Sequence, residues 1–244
     1  AIFPQKTREK WVEYFNSQDY DVILTTASLS LRLAMIAPRL KAATIGWQHN
    51  CYDGYLHVKP VVFWQQENLL QQYLPNLDRY IVLSDYDKRD YMEKLGIDCE
   101  VKINPRSFVS EKKCDVKSKR FLMATRFVYA KGLDLMMESF EEFCKEDSEW
   151  ELDIIGDGDL FDQIRADAKK RHLEKRVHFV GYTNEPEKYY LNSSVFLLPS
   201  RWEGWPMVIM EAFEFGLPVI AYHMGAMDLI IDDGKTGFLP EAFD

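Results

Sequence analysis

The chain has 244 residues, of which 47% are hydrophobic and 28% charged, values that favour a folded globular protein over a disordered one. No apolar run approaches the roughly 18 residues of a membrane-spanning helix, and no charged-then-apolar leader opens the sequence. The charges of residues 1–110 cancel at 13 of each sign, so residues 111–244 carry the whole net charge of −9. This acidic part disfavours nucleic acid as a partner, because nucleic acid binds basic surfaces.

Apolar runs of strand length alternate with amphipathic segments of helix length along the chain. The predicted strands are residues 22–25, 43–47, 79–83, 101–103, 121–124, 151–155, 177–179, 195–198 and 219–221. The predicted helices are residues 8–16, 30–36, 63–73, 85–95, 132–145, 160–171 and 207–215. This alternation is typical of an α/β protein whose parallel sheets are covered by helices on both faces.

The stretch 104–119 shows neither an apolar run of strand length nor an amphipathic pattern of helix length. It is polar, contains Pro105, and lies where the charge balance changes. We interpret it as the linker between two α/β domains, residues 1–108 and 109–244.

The cysteines and histidines do not predict a metal site. The four cysteines are scattered without a C-x-x-C pair, and the five histidines show no H-E-x-x-H arrangement. We expect reduced thiols in a cytoplasmic protein.

The densest pattern is LPSRWEGWPMVIME, residues 198–211. An apolar strand runs into a polar loop, and Pro206 then stands where a helix is expected to begin. Ligands of parallel sheets bind at the carboxyl ends of strands. Glu203 in the loop and Glu211 in the helix would there accept hydrogen bonds from vicinal hydroxyls, as sugar diols require. A carboxylate pair for glycoside hydrolysis is the alternative, but it needs facing positions.

Two upstream segments repeat the arrangement of a strand followed by a polar turn. Arg126 and Lys131, in TRFVYAKG, precede a predicted helix and suit a diphosphate. LDIIGDGD ends in a glycine turn, where Gly156 would let a ligand approach the backbone. It is not the G-x-G-x-x-G fingerprint, so a dinucleotide oxidoreductase is not supported. Its two aspartates fit a cap of the following helix better than a metal-binding D-x-D pair.

These motifs, in this order, resemble the retaining family-4 glycosyltransferases of the GT-B fold. The matching text is ATRFVYAKGLDLMMESF, IIGDGD, VHFVGY, LLPSRWEGWPMVIMEAFEFGLPVIA and MDLIIDDGKTGFL, which covers about residues 121–239. The first part fits more loosely, through DVILTT, TIGWQHN and RYIVLSDYDKRDYMEKLGI. The resemblance implies two Rossmann-like domains. By comparison with the family pattern, we expect the first domain to be without its opening strand and glycine-rich loop and the second to be without its closing helices.

The resemblance implies a role for each matching residue of the donor site. Arg126 and Lys131 would neutralise the diphosphate of a nucleotide-sugar, on which negative charge grows as the glycosidic bond breaks. Glu203 would hold the hydroxyls of the donor hexose, and Glu211 would bind the ribose diol.

Further contacts are implied around this centre. Backbone N–H groups from Gly204 to Met207 would contact the sugar or the phosphate, and Tyr182 would contact the base. His49, at a strand end of the first domain, would meet the donor sugar. Together with Arg126, Lys131 and Glu203, this histidine is a predicted catalytic residue.

Each of these residues also has an ordinary structural interpretation. Glu211 alone would be a solvated helix carboxylate, Tyr182 a surface tyrosine, and His49 a satisfied residue at a strand end. We expect Trp202 and Trp205 to pack within the loop rather than to stack on a sugar.

The implied activity is the transfer of a hexose, with retention and without a metal or other cofactor, to a glycan or lipid-linked acceptor. The Asn-Pro pair at residues 104–105 is also found in family members that act on surface polysaccharides, and it favours a role in surface polysaccharide synthesis. Such an enzyme is expected in the cytoplasm, with room for peripheral contact at the inner face of a membrane. The alternative is a homologue or fragment that binds nucleotide-sugar without turnover.

Overall fold

The computed structural model describes residues 3–57 and 65–241, which form two compact units, Ala1–Asn104 and Pro105–Asp244. In the first unit the helices are α1 Gln5–Ser17, α2 Ser28–Ala34, α3 Tyr52–Leu56, α4 Glu67–Tyr73 and α5 Asp85–Leu95. Its strands β1 Val22–Thr26, β2 Ala43–Trp47, β3 Arg79–Val82 and β4 Glu100–Val101 form one parallel sheet in the order β1-β2-β3-β4.

The second unit carries a sheet of six parallel strands. The strands are β5 Arg120–Ala124, β6 Glu151–Ile155, β7 Val177–Gly181, β8 Val195–Leu198, β9 Val219–Ala221 and β10 Gly237–Phe238. The helices are α6 Leu133–Glu146, α7 Phe161–Lys170, α8 Glu187–Leu191 and α9 Met207–Glu214. The sheet order is β10-β9-β8-β5-β6-β7, so the direction of strand addition reverses between β5 and β8.

Helices cover both faces of this second sheet. Along β5, Leu122 belongs to the core under α8 and α9, whereas Met123 belongs to the core under α6 and α7. The alternation follows from the period of two in a strand, which sends successive side chains to opposite faces. Both neighbours are buried, which explains the continuous apolar run in the sequence.

Local signals determine several helix ends. At the start of α5 the Ser84 hydroxyl accepts a hydrogen bond from the Asp87 N–H at 3.1 Å and donates to the Asp87 carboxylate at 2.6 Å. At its end Gly96 has a φ of 68°, a left-handed conformation that costs glycine nothing. This helix was predicted with both of its boundaries.

Most predicted elements are confirmed, with shifts of a few residues at their ends. The helix predicted at 63–73 begins in residues that lie outside the described part, and its described portion is α4. The strand predicted at 101–103 is found at Glu100–Val101. The prediction missed α3, α8 and β10, because elements of two to five residues are too short to show a period.

The stretch predicted as a linker forms no helix or strand, yet it packs on the second unit. The Cys114 N–H donates to the Phe215 carbonyl at 2.8 Å, and the Asp115 N–H donates to the Leu191 carbonyl at 2.9 Å. Its backbone is thus bound to the ends of α8 and α9.

Gly132 provides a test of how closely two loops of the second unit approach. Its φ is 62°, and a Cβ atom would lie 1.9 Å from the Pro199 carbonyl oxygen. Gly234, with a φ of 75° and nothing near its Cβ position, is the matched control. We expect Gly234→Ala to lower the free energy of unfolding by about 1 kcal/mol and Gly132→Ala by about 3 kcal/mol, measured by urea unfolding. Equal losses would contradict the close approach.

Candidate functional site

The predicted site residues of the second unit follow strands that lie side by side. Strands β8, β5 and β6 are neighbours, and because they are parallel their carboxyl ends meet at one edge of the sheet. In folds of this kind a ligand usually binds at the edge where the strand order reverses, which here lies between β5 and β8.

Three loops meet at this edge through their backbones. The Phe127 N–H donates to the Asp157 carbonyl at 2.9 Å, and the Arg201 N–H donates to the Ala130 carbonyl at 2.8 Å. Gly156 has a φ of 125°, and a Cβ there would lie 1.8 Å from the Thr125 carbonyl oxygen. Packing between loops therefore requires this glycine, whether or not a ligand also approaches it.

Lys131 and Glu203 form a largely buried ion pair at this edge, with side chains 19% and 11% exposed. The Lys131 Nζ donates to Glu203 Oε1 at 2.5 Å, and the Ser200 hydroxyl donates to the same oxygen at 2.7 Å. No described residue donates to Oε2. One carboxylate oxygen is thus held in place while the other keeps its acceptor capacity.

Arg126 lies on the same loop as Lys131 and is exposed. Within residues 3–57 and 65–241, no hydrogen bond or ion pair of its guanidinium is found. The loop therefore presents one paired cation and one unpaired cation. Helices α6 and α9 both begin at this edge without a side-chain cap, so the N–H groups of their first turns add positive potential.

Glu211 is not a solvated helix carboxylate. The Tyr190 hydroxyl donates to its Oε2 at 2.9 Å, and the Ser107 hydroxyl lies 3.4 Å from Oε1. Burial, together with the negative charge of Glu211, raises the pKa of Tyr190, which therefore stays a hydrogen-bond donor. Beside Glu211 lies a cleft of about 1010 Å³ walled by residues 107–112 and 184–188.

The remaining predicted residues of the second unit lie around the same edge. Tyr182 follows β7 and is 78% exposed, whereas Gly204 is buried in the loop after β8. Met207 is the first residue of α9. Trp202 packs against Tyr129 with ring centroids 6.0 Å apart, and the buried Trp205 Nε1 has no partner in the described part of the chain.

His49 lies in the first unit, just after β2. Its ring packs against Trp47 with centroids 5.1 Å apart and hydrogen-bonds the Asn104 side chain. Desolvation lowers its pKa and outweighs the opposing effect of Asn104, so the imidazole is neutral at pH 7. Its catalytic role stays a prediction.

The sequence analysis missed three supporting residues. Ser200 orients Glu203, Tyr190 orients Glu211, and Asp134 binds Arg201. Ser200 lies three residues before Glu203, a local signal that was available. Asp134 is 67 positions from Arg201, and only the strand order brings the two together.

One detail of the glycine turn differs from the prediction. Asp157 does not cap α7, since its carboxylate accepts from the Gly158 N–H at 2.8 Å, and α7 starts at Phe161 without a side-chain cap. Across the described residues, no group of three or more His, Cys, Asp and Glu side chains is placed to hold a metal ion. The same part of the chain contains no helix long and apolar enough to span a membrane.

The Lys131–Glu203 pair leads to a stability prediction. Lys131→Met leaves a largely buried carboxylate without its cation, so we expect the free energy of unfolding to fall by about 2 kcal/mol. Lys145→Met is the control, because Lys145 pairs with Glu142 where both side chains are over 60% exposed, and its cost should stay within about 0.5 kcal/mol. The double variant Lys131→Met/Glu203→Gln should recover part of the loss in urea unfolding. A Lys131→Met loss no larger than the control's would mean that the pair does not form.

Comparison with known proteins gives a family match. A family model described as glycosyl transferases group 1 matches residues 107–244. An uncharacterized glycosyltransferase of Haemophilus influenzae is 29% identical over 227 residues, which are 90% of this chain and 62% of that protein. The amylovoran biosynthesis glycosyltransferase AmsD of Erwinia amylovora is 34% identical over 120 residues, 48% of this chain and 34% of AmsD.

A solved structure matches the fold of the chain. A TarM variant of Staphylococcus aureus, in complex with fondaparinux, alpha-GlcNAc-glycerol and UDP, aligns with a TM-score of 0.82 at 21% identity. The alignment covers 98% of this chain and 49% of TarM, so the chain spans less than two thirds of each of these three proteins. The α/β fold of the GT-B class, predicted from the sequence, is confirmed.

Proposed function

The chain belongs to the glycosyl transferases group 1 family, and from this premise we propose that it transfers a hexose from a nucleotide-sugar with retention of configuration. The acceptor is a glycan or a lipid-linked sugar of surface polysaccharide synthesis, and no divalent metal takes part. AmsD, named for amylovoran biosynthesis, is consistent with that acceptor class. The proposed place is the cytoplasm, with peripheral contact at the inner face of a membrane.

The ion pair of Lys131 and Glu203 is the observation that carries the proposal. An ammonium group has three N–H donors, and only one of them is used by Glu203. The others are available to oxygens of a diphosphate, while Glu203 Oε2 accepts a hydroxyl of the hexose. The pair thus supports binding of a nucleotide-sugar on both sides of the bond that breaks, with Lys131 at the diphosphate and Glu203 at the hexose.

Negative charge grows on the leaving diphosphate as the glycosidic bond breaks. Lys131, the unpaired Arg126 and the uncapped starts of α6 and α9 together supply positive potential there. Because Lys131 and the two helix starts are held in place before the reaction, they stabilise the transition state without reorganising, and the exposed Arg126 adds its charge when the diphosphate binds. We propose that they replace a metal ion and that the diphosphate takes the proton of the acceptor hydroxyl.

The proposed nucleoside contact is Glu211. A carboxylate oriented by Tyr190 keeps lone pairs for the two hydroxyls of a ribose. The cleft beside Glu211 offers space for a base, with Tyr182 as a proposed contact. His49 is proposed to meet the donor sugar as a neutral imidazole, in keeping with its lowered pKa.

Thermal unfolding tests the donor site directly. The full chain is heated with UDP-, GDP- and ADP-sugars in the presence of EDTA, and one nucleotide is expected to raise the melting temperature. A ligand at 100 times its Kd adds about 2.7 kcal/mol to the free energy of unfolding. Glu211→Ala should abolish the shift, whereas Glu142→Ala, at the far end of α6, should preserve it. A shift that requires added metal would contradict metal independence, and no shift with any nucleotide would overturn the donor site.

Turnover distinguishes an enzyme from a homologue that only binds. Released nucleoside diphosphate is measured with the nucleotide-sugar that gives the shift, with and without lipid-linked sugar acceptors. Lys131→Ala is expected to lower kcat by about 100-fold or more, since charge stabilisation of the leaving group is lost. Glu203→Gln is also expected to lower kcat, since the carboxylate that holds Lys131 and binds the hexose hydroxyl is lost. Lys145→Ala is the control. Binding without turnover under every condition would support the binding-only homologue instead.

A further inference from the structure

Arg201 lies between Ser200 and Glu203 in the loop after β8, and its side chain is only 12% exposed. Its guanidinium forms a two-pronged ion pair with Asp134, with Nη1 2.8 Å from Oδ1 and Nη2 2.7 Å from Oδ2. Asp134 lies in the first turn of α6, where the helix dipole favours a carboxylate. The hydrogen bond from Arg201 lowers the pKa of Asp134, so the pair is charged at neutral pH.

The same arginine also grips the turn that carries Lys131. Nη1 donates to the Tyr129 carbonyl at 2.9 Å, and the guanidinium lies 4.0 Å from the centroid of the Tyr129 ring. The Arg201 backbone N–H donates to the Ala130 carbonyl at 2.8 Å. Tyr129 and Ala130 belong to the short 3-10 helix Tyr129–Lys131, so Arg201 binds two of its three residues.

Arg201 thus joins the two segments that carry the partners of the ion pair. Lys131 closes the gripped turn, and Glu203 is two residues beyond Arg201 in the other loop. The separation of the ammonium and the carboxylate is therefore set by the backbone positions that Arg201 fixes. A planar guanidinium is suited to this, because it offers five N–H donors in a rigid fork, whereas a lysine offers a point charge.

We infer that Arg201, held by Asp134, is a positioning residue that fixes the Lys131 ammonium where it meets the donor's diphosphate. The inference rests on the proposed function, since it assigns Lys131 to that group. Arg201 itself does not touch the substrate in this mechanism. Its loss leaves the ribose contact at Glu211 intact and acts on the diphosphate alone.

The first test reads the position of Lys131 without any ligand. Acetylation of Lys131 by acetic anhydride is followed by mass spectrometry of peptides from the full chain. Arg201→Lys should raise the labelling rate of Lys131 several-fold, and Asp134→Asn should raise it in the same direction. The control is Arg171→Lys, because Arg171 binds Asp167 and Glu141 elsewhere in the second unit. Unchanged labelling in both Arg201 and Asp134 variants would overturn the inference.

The second test separates positioning from a general structural role. The Kd values of UDP and UMP, or of the corresponding pair of whichever base the thermal screen selects, are measured by calorimetry. In the proposed site the diphosphate reaches Lys131 and the monophosphate does not. Arg201→Lys should therefore raise the Kd of the diphosphate by about tenfold and leave the Kd of the monophosphate unchanged. Equal weakening of both would show a structural role and overturn the inference.

The two tests fail for different reasons. A wild-type chain that binds neither nucleotide overturns the proposed function, while the labelling rates still decide whether Arg201 holds Lys131 in place. If Arg201→Lys does not fold by circular dichroism, the Asp134→Asn variant decides both measurements. It keeps the shape of the side chain and loses the charge that holds the guanidinium.

Discussion

The reversal of strand order between β5 and β8 is the constraint on which the rest of the second unit depends. Helices α6 and α7 pack on one face of the sheet and helices α8 and α9 on the other. The loops after β5 and β8 therefore lie next to each other at the edge of the sheet. Gly132 then allows the loops to approach until the Pro199 carbonyl occupies the space of a side chain. Without that approach, a lysine from one loop and a glutamate from the other would not form an ion pair.

This ion pair shows how a site keeps a charged group ready for a ligand. A carboxylate with little exposure loses its hydration, and the loss is offset only when opposite charge and hydrogen bonds replace the water. Lys131 supplies the opposite charge and Ser200 a hydrogen bond at one oxygen of Glu203, and within the described residues the second oxygen accepts no hydrogen bond. A fully satisfied pair would be inert toward a ligand, and an unsatisfied one would destabilise the loop.

The segment 105–119 shows where composition misleads. Its polar residues and its proline are typical of a free linker, yet its backbone N–H groups bind carbonyls at the ends of α8 and α9. In addition, Arg106 pairs with Glu214, and Ser107 approaches Glu211. A polar segment is able to pack when the surface opposite it presents unpaired carbonyls and carboxylates, and the sequence does not reveal that surface.

The sequence by itself determined the α/β class, the position of most strands and helices, and the residues that follow the ends of β5, β6 and β8. These features are local, because the period of two residues in strands, the period of 3.6 residues in helices and the glycine and proline signals each depend on a few neighbouring positions. Only the tertiary structure decided which of these residues meet. The partners Lys131 and Glu203 are 72 positions apart, and Asp134 and Arg201 are 67 apart. Their contact follows from the order of strands in the sheet, which results from packing of the whole unit.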